Sequence, residues 1–148
     1  MKPGTLYIVA TPIGNLEDLS PRAARILSEV DLIAAEDTRH SRTLLRHHGI
    51  DRPLVACHEF NERDAAATLI EKLKDGASVA LISDAGTPLI SDPGYRVVVL
   101  AHDAGIPVVP VPGPSAVLAA LSVCGLGVDR FGFEGYLPAT AAQRRTRL

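Results

Sequence analysis

Five short aliphatic runs, separated by helix-like stretches, restrict the fold more than any other feature of this chain. They lie at residues 6–10, 32–35, 53–57 and 79–83, with the last opening at Pro107-Val-Val109. Each is short, bounded by turn residues and rich in Val, Ile, Leu or Ala, so each reads as a buried strand. Aromatic residues make up only 4% of the chain and Trp is absent, whereas apolar residues reach 47%. The core must therefore be aliphatic, the composition that buried parallel sheets favour.

The intervening stretches read as helices. Ser20-Pro21 supplies an N-cap and a first-turn proline, whose missing N–H costs nothing there. A second helix runs from about Thr38 to Gly49, a good residue just past a helix end. Asn61 is placed to cap a third, with Glu62 and Asp64 in its positive first turn. Leu69, Ile70 and Leu73 form that helix's apolar stripe, and Gly76 stops it. Residues 95–104 form a fourth, stopped by Gly105. Ser115 opens a fifth, rich in Ala and Leu. This alternation implies βαβ crossovers and an α/β fold: a mostly parallel five-stranded sheet flanked by helices.

The chain has 148 residues. Residues 1–124 read as one N-terminal α/β domain and 125–130 as a linker around Gly125-Leu-Gly127. Residues 131–136 look like a new strand, with a helix from Ala139 onward. Residues 131–148 then read as the beginning of a second, C-terminal domain whose remainder lies outside this sequence.

Net charge is −2, so no global field attracts nucleic acid. Local patches exist at Arg39, His40, Arg42, Arg46, His47 and His48, and at Arg144, Arg145 and Arg147. Each can equally be a solvated helix face. Cys57 and Cys124 form no CxxC pair, so reduced thiols are expected. No apolar run approaches the roughly 20 residues of a membrane helix. Residues 6–10 are too short for a signal-peptide core. The expectation is a cytoplasmic protein with no membrane association.

Polar motifs follow the strands in order. Thr11-Pro-Ile-Gly-Asn15 follows the first, Glu36-Asp37-Thr38-Arg39 the second and His58-Glu59-Phe60-Asn61-Glu62 the third. Ser83-Asp84-Ala85-Gly86-Thr87-Pro88 follows the fourth, and Pro112-Gly113-Pro114-Ser115 the fifth. In a parallel sheet all carboxyl ends lie on one edge, so these motifs converge on one rim. Gly and Pro give fixed bends and close backbone approach, which suits a small ligand. Glu36, Asp37 and Glu59 would repel one another there. Either they pair with Arg39 or Arg63, or they serve acid–base chemistry. His58 beside Glu59 lacks HxxH or CxxC spacing, so no metal is expected. No Walker A, GxGxxG or GxSxG sequence is present. The residues alone reach a small-ligand α/β enzyme with a proline-rich rim.

Five segments in register over residues 4–137 carry a resemblance. They are Gly4-Thr-Leu-Tyr-Ile-Val-Ala-Thr-Pro-Ile-Gly-Asn-Leu16, Ala35-Glu-Asp-Thr-Arg39, His58-Glu-Phe-Asn-Glu62, the long Ala80-Leu-Ile-Ser-Asp-Ala-Gly-Thr-Pro-Leu-Ile-Ser-Asp-Pro-Gly94 and Pro112-Gly-Pro-Ser-Ala116. The set resembles the ribosomal RNA small subunit methyltransferase I family of the tetrapyrrole methylase superfamily. That resemblance implies S-adenosyl-L-methionine as cofactor and methyl transfer to the ribose 2′-hydroxyl of a cytidine in the decoding region of 16S rRNA. The 30S subunit is then the partner, and the superfamily fold implies two α/β domains and a homodimer. It also implies a cofactor site at Thr11, Pro12, Gly14, Asn15, Ser83, Asp84, Ala85, Gly86, Thr87, Pro88, Pro112, Gly113, Ser115 and Ala116. Glu36, Asp37, Arg39, His58 and Glu59 are the catalytic candidates, unranked. Thr-Pro-Ile-Gly-Asn stands where corrin and sirohaem methylases usually carry a GxGPG-type loop, which favours the rRNA branch. Two alternatives stay open: a tetrapyrrole C-methyltransferase, and a non-catalytic dimerisation or binding module.

Overall fold

The computed structural model describes residues 4–147. The outermost residues of the two expected domains, 1–3 and 148, lie outside the described residues. The elements are β1 (Leu6–Val9), α1 (Pro21–Glu29), β2 (Leu32–Ala35), α2 (Thr38–His47), β3 (Leu54–Ala56), α3 (Glu62–Lys74), β4 (Val79–Ile82), α4 (Tyr95–Asp103), β5 (Val108–Val111), α5 (Ala116–Val123) and α6 (Ala141–Arg147). A single 3₁₀ turn, Leu16–Asp18, precedes α1. All five strands pair in parallel, in the order β3-β2-β4-β1-β5. The expected α/β class holds, with the sheet wholly parallel.

Burial of both faces explains the unbroken apolar strands. Successive side chains of a strand point to opposite faces. On β4, Ala80 and Ile82 join Ile26 and Leu27 of α1 and Leu44 and Leu45 of α2 in one cluster. Val79 and Leu81 join Leu69 and Leu73 of α3 and Val97 and Ala101 of α4 in another. Each core is aliphatic, and neither face can accept a polar residue at these positions.

Helix starts are chemically fixed. Ser20 Oγ accepts the Ala23 N–H at 3.1 Å, with Pro21 in the first turn, as expected. Asp37 caps α2, accepting the Arg39 N–H at 2.8 Å. Asn61 does not cap α3. Its Oδ1 accepts the His58 N–H at 2.8 Å and its Nδ2 donates to the Ala56 carbonyl at 3.0 Å. The amide closes the turn after β3 by bonding both backbone groups. Ser115 occupies the position before α5 without a side-chain cap bond.

Residues 131–136 are not a strand. A strand needs a ladder partner, and no strand lies beside them among the described residues. Phe133 and Tyr136 face the rim instead. The helix that follows begins at Ala141 rather than Ala139.

The connections place the site. β1 leads through α1 to β2, and β4 leads through α4 to β5. α1 packs on one face of the sheet and α4 on the other. β1 and β4 are neighbours, so their exits diverge and open a crevice at the strands' carboxyl ends. Open parallel sheets hold ligands at such a switch point.

Candidate functional site at the carboxyl edge of the sheet

Three loops are stitched together at the crevice. The Thr11 N–H donates to the Gly86 carbonyl at 2.9 Å, and the Gly86 N–H returns to the Thr11 carbonyl at 3.0 Å. Buried Thr11 Oγ1 donates to the Ser83 carbonyl at 3.2 Å. Thr87 Oγ1 donates to the Pro114 carbonyl at 3.2 Å, which ties in the loop after β5. Gly86 sits at φ +85°, a conformation that side chains disfavour, and this lets the β4 loop fold back on β1. A Thr11→Val substitution keeps the shape and removes the Oγ1 donor. It should cost about 1 kcal/mol, read as a lower urea midpoint at unchanged m-value.

A cavity of about 360 Å³ opens between these loops. Ala85, Gly86, Thr87, Ser115 and Ala116, five of the expected cofactor residues, line it. Thr11, Pro12, Ser83 and Pro88 are buried and outside the lining. Gly14, Asn15, Pro112 and Gly113 are exposed and outside the lining. Asn15 caps the 3₁₀ turn, accepting the Glu17 N–H at 3.1 Å. The sequence reading missed Ile13, Ile90, Ser91, Asp92, Val117, Phe133, Gly135 and Tyr136, which complete the lining. Asp92 was legible as the second Ser-Asp of the long motif. Phe133 and Tyr136, far along the chain, carried no such clue.

The same loop holds two non-glycine residues in left-handed backbone, Leu89 at φ 73° and Ser91 at φ 63°. Such strain persists only where the surroundings enforce it, and it concentrates at ligand sites.

Beside the cavity lies a group of carboxylates. Asp84 Oδ1 accepts the Asp37 N–H at 3.1 Å, and Glu36 Oε2 accepts the Asp84 N–H at 3.4 Å. Asp84 is thus turned toward the β2 loop rather than into the cavity lining. Burial pushes the Glu36 carboxyl above its usual range, against the lowering effect of the Asp84 N–H hydrogen bond, and the charges of Asp84, Asp92 and Asp37 push it further. Burial and the Asp84 charge likewise raise Asp92, against a lowering contribution from the Ser83 hydroxyl. Asp37 behaves oppositely. Hydrogen bonds from the Arg39 side chain and backbone hold it at about 2. Arg39 Nη2 lies 3.1 Å from Asp37 Oδ2 on an exposed surface.

His58 and Glu59 stand apart. They follow β3, the edge strand, with β2 between it and β4. At about 4.8 Å per strand this separates their loop from β4 by roughly 10 Å. Among the described residues no hydrogen bond or salt bridge joins their side chains to Glu36, Asp37 or Asp84. His58 Nδ1 is buried without a partner. Glu62, from the same motif, accepts the Gly94 and Arg96 N–H groups at 3.0 and 2.9 Å and so ties α3 to the start of α4. No group of three His, Cys, Asp or Glu side chains among the described residues is placed to hold a metal ion. No helix among them is long and apolar enough to cross a membrane.

Residues 5–145 match the family model of tetrapyrrole (corrin/porphyrin) methylases. The chain belongs to this family. It is 64% identical over 148 residues to a Pseudomonas aeruginosa protein named ribosomal RNA small subunit methyltransferase I, covering 100% of this chain and 52% of that one. A Xylella fastidiosa protein of the same name is 64% identical over 146 residues, covering 99% of this chain and 54% of its own. The chain thus spans about half the length of the curated relatives it matches. Among solved structures, uroporphyrin-III-C-methyltransferase from Thermus thermophilus superposes with a TM-score of 0.65 at 26% identity, over 86% of this chain and 55% of that one. The resemblance read from the five motifs is borne out.

Proposed function

We propose that this chain forms part of an S-adenosylmethionine-dependent methyltransferase whose acceptor is the ribose 2′-hydroxyl of a cytidine in the decoding region of 16S rRNA, presented on the 30S subunit. Support for an rRNA acceptor comes from relatives of that name at 64% identity. Support for the cofactor comes from the rim cavity, whose volume of about 360 Å³ suits a small organic ligand. Small residues, Ala85, Gly86, Ser115 and Ala116, leave room for it. Ile13, Ile90 and Tyr136 offer apolar contact, and the Asp92 carboxylate offers a counter-charge to a cationic group. These residues fit S-adenosylmethionine, which when bound supplies an electrophilic methyl group on a sulfonium.

The protein's task is then positioning, together with removal of the hydroxyl proton. Glu36 is the base this geometry favours. It lies at the rim, and its raised pKa brings it nearer the working pH than an ordinary carboxylate. Arg39, held by Asp37, is placed to meet an acceptor phosphate. His58 and Glu59 rank below Glu36 because they leave an edge strand. Residues 125–130 then serve as a linker and 131–148 as the start of a second domain. A homodimer in the cytoplasm completes the reading, and the exposed apolar residues Leu118 and Val123 of α5 are compatible with such pairing.

A tetrapyrrole C-methyltransferase is the second reading, favoured by the Thermus structure at 26% identity. The full-length protein, given bacterial 30S subunits and methyl-labelled S-adenosylmethionine, should place label on ribose oxygen. Label on a base, or on uroporphyrinogen when that is offered, would overturn the first reading. A non-catalytic module would transfer no label to either acceptor.

A further inference from the structure

Beyond Arg39, the basic face of α2 is not used by the site just described. Arg39, Arg42 and Arg46 are spaced i, i+3 and i+7, which puts them on one side of a helix. The opposite side carries buried Ser41, Leu44 and Leu45. α2 starts at the rim, where Asp37 caps it, and runs away from the carboxyl edge of the sheet. The row therefore leads from the candidate acceptor site down the outside of the domain, about 10 Å at 1.5 Å per residue.

It ends at a groove of about 830 Å³ formed where the end of α2 meets the chain entering β3. Arg42, Arg46 and Arg52 line this groove with Leu45 and Pro53, and Asp51 is the one carboxylate in its lining. Arg52 is fixed in place, its Nε donating to the Ser28 carbonyl at 2.6 Å. Among the described residues Arg42 and Arg46 pair with no acid. Unpaired arginines gathered on one face of a chain with net charge −2 do not arise from overall basicity. A row of guanidinium groups matches a row of phosphates, since each can meet a phosphate in bidentate fashion.

We propose that Arg42, Arg46 and Arg52 form a track for the acceptor RNA's phosphate backbone, holding the strand along α2 so that its target ribose reaches the rim. This rests on the rRNA reading above. Backbone contacts of this kind fix register and orientation without reading sequence.

The test uses the full-length protein with Arg42→Glu and Arg46→Glu combined, outside the cofactor cavity. Its affinity for a fragment of 16S rRNA is measured across salt concentrations, with S-adenosylmethionine affinity and Tm as controls. RNA affinity should fall at least tenfold at low salt. The slope of log K against log salt should flatten by roughly 1 to 2, about 0.7–0.9 per lost contact, with cofactor binding and Tm unchanged. Wild-type RNA affinity and slope in the variant would overturn the track while leaving the rRNA reading intact. Failure of the wild-type protein to bind or methylate rRNA would overturn both. A variant that keeps RNA affinity but loses a co-purifying protein would mark the groove as a protein-binding surface and also overturn the track. If the charge reversal lowers Tm, Arg42→Gln with Arg46→Gln gives the same readout at smaller amplitude.

Discussion

Glu36→Gln in the full-length protein is expected to lower kcat by about 10²–10⁴-fold and, at the same time, to raise Tm near neutral pH. The two effects share one cause. Burial and the neighbouring charges of Asp84, Asp92 and Asp37 favour the protonated form of Glu36 in the folded state. A carboxyl raised on folding contributes stability that is complete below its unfolded pKa and lost as pH rises through its folded pKa. At pH 7 the ionised Glu36 is therefore a burden on the fold, and a neutral isostere relieves it. The same raised pKa makes the group a better-matched base at the rim, so the cost is the kind an active site retains.

The pH dependence separates this from a merely structural role. Wild-type kcat should fall on the acid side through a pKa above that of an ordinary glutamate, and the limb should vanish in Glu36→Gln. Asp92→Asn removes one of the charges that raise Glu36. It should move the limb to lower pH and also raise Tm near neutrality, because Asp92 is itself raised by burial. Asp37 carries the opposite sign. Its pKa is held at about 2, so its contribution is present above the unfolded value near 3.8 and disappears as pH falls toward 2. Wild-type kcat and Tm in Glu36→Gln would remove the residue from the mechanism. The base would then be sought at Asp37, or at His58 and Glu59.

Much of this fold is legible in the amino-acid sequence, for a physical reason. A parallel sheet buried on both faces writes itself into the chain as aliphatic runs, and the loops at its carboxyl edge come in a known sequence order. Hence the strands, the shared rim and the cavity wall at Ala85, Gly86, Thr87, Ser115 and Ala116 could be expected. What escaped depends on strand order or on distant partners. Nothing local to His58 and Glu59 says that β3 is an edge strand. Phe133 and Tyr136 lie in an aromatic-rich stretch that mimics a strand, but their place at the cavity is fixed by a loop some 40 residues earlier in the chain. Asn61 shows the limit of capping rules. Its side chain had two backbone partners available in the turn and bonded to them.

Gly94→Ala should destabilise the fold by about 2–5 kcal/mol. Two costs combine. Gly94 sits at φ +123°, where a side chain costs about 1–2 kcal/mol. A Cβ there would also lie 2.6 Å from Leu81 Cδ2, and displacing a packed core side chain costs about 1–3 kcal/mol more. Leu81 is fully buried beneath α3 and α4 and has little room to yield. Gly14→Ala is the control, since Gly14 has φ +148° but open space around its would-be Cβ. It should show backbone strain alone, so the difference between the two urea midpoints isolates the collision. A Leu81→Val change made with Gly94→Ala should recover part of that difference, and equal midpoints for the two alanine variants would refute the collision. The consequence reaches the site. The Gly94 N–H is held by Glu62, and Leu89 Cδ1 lies 3.6 Å from the same would-be Cβ. A shift at Gly94 therefore pushes on the strained segment that carries Ile90, Ser91 and Asp92. Cofactor affinity should fall in Gly94→Ala by more than Gly14→Ala can produce, even where both proteins remain folded.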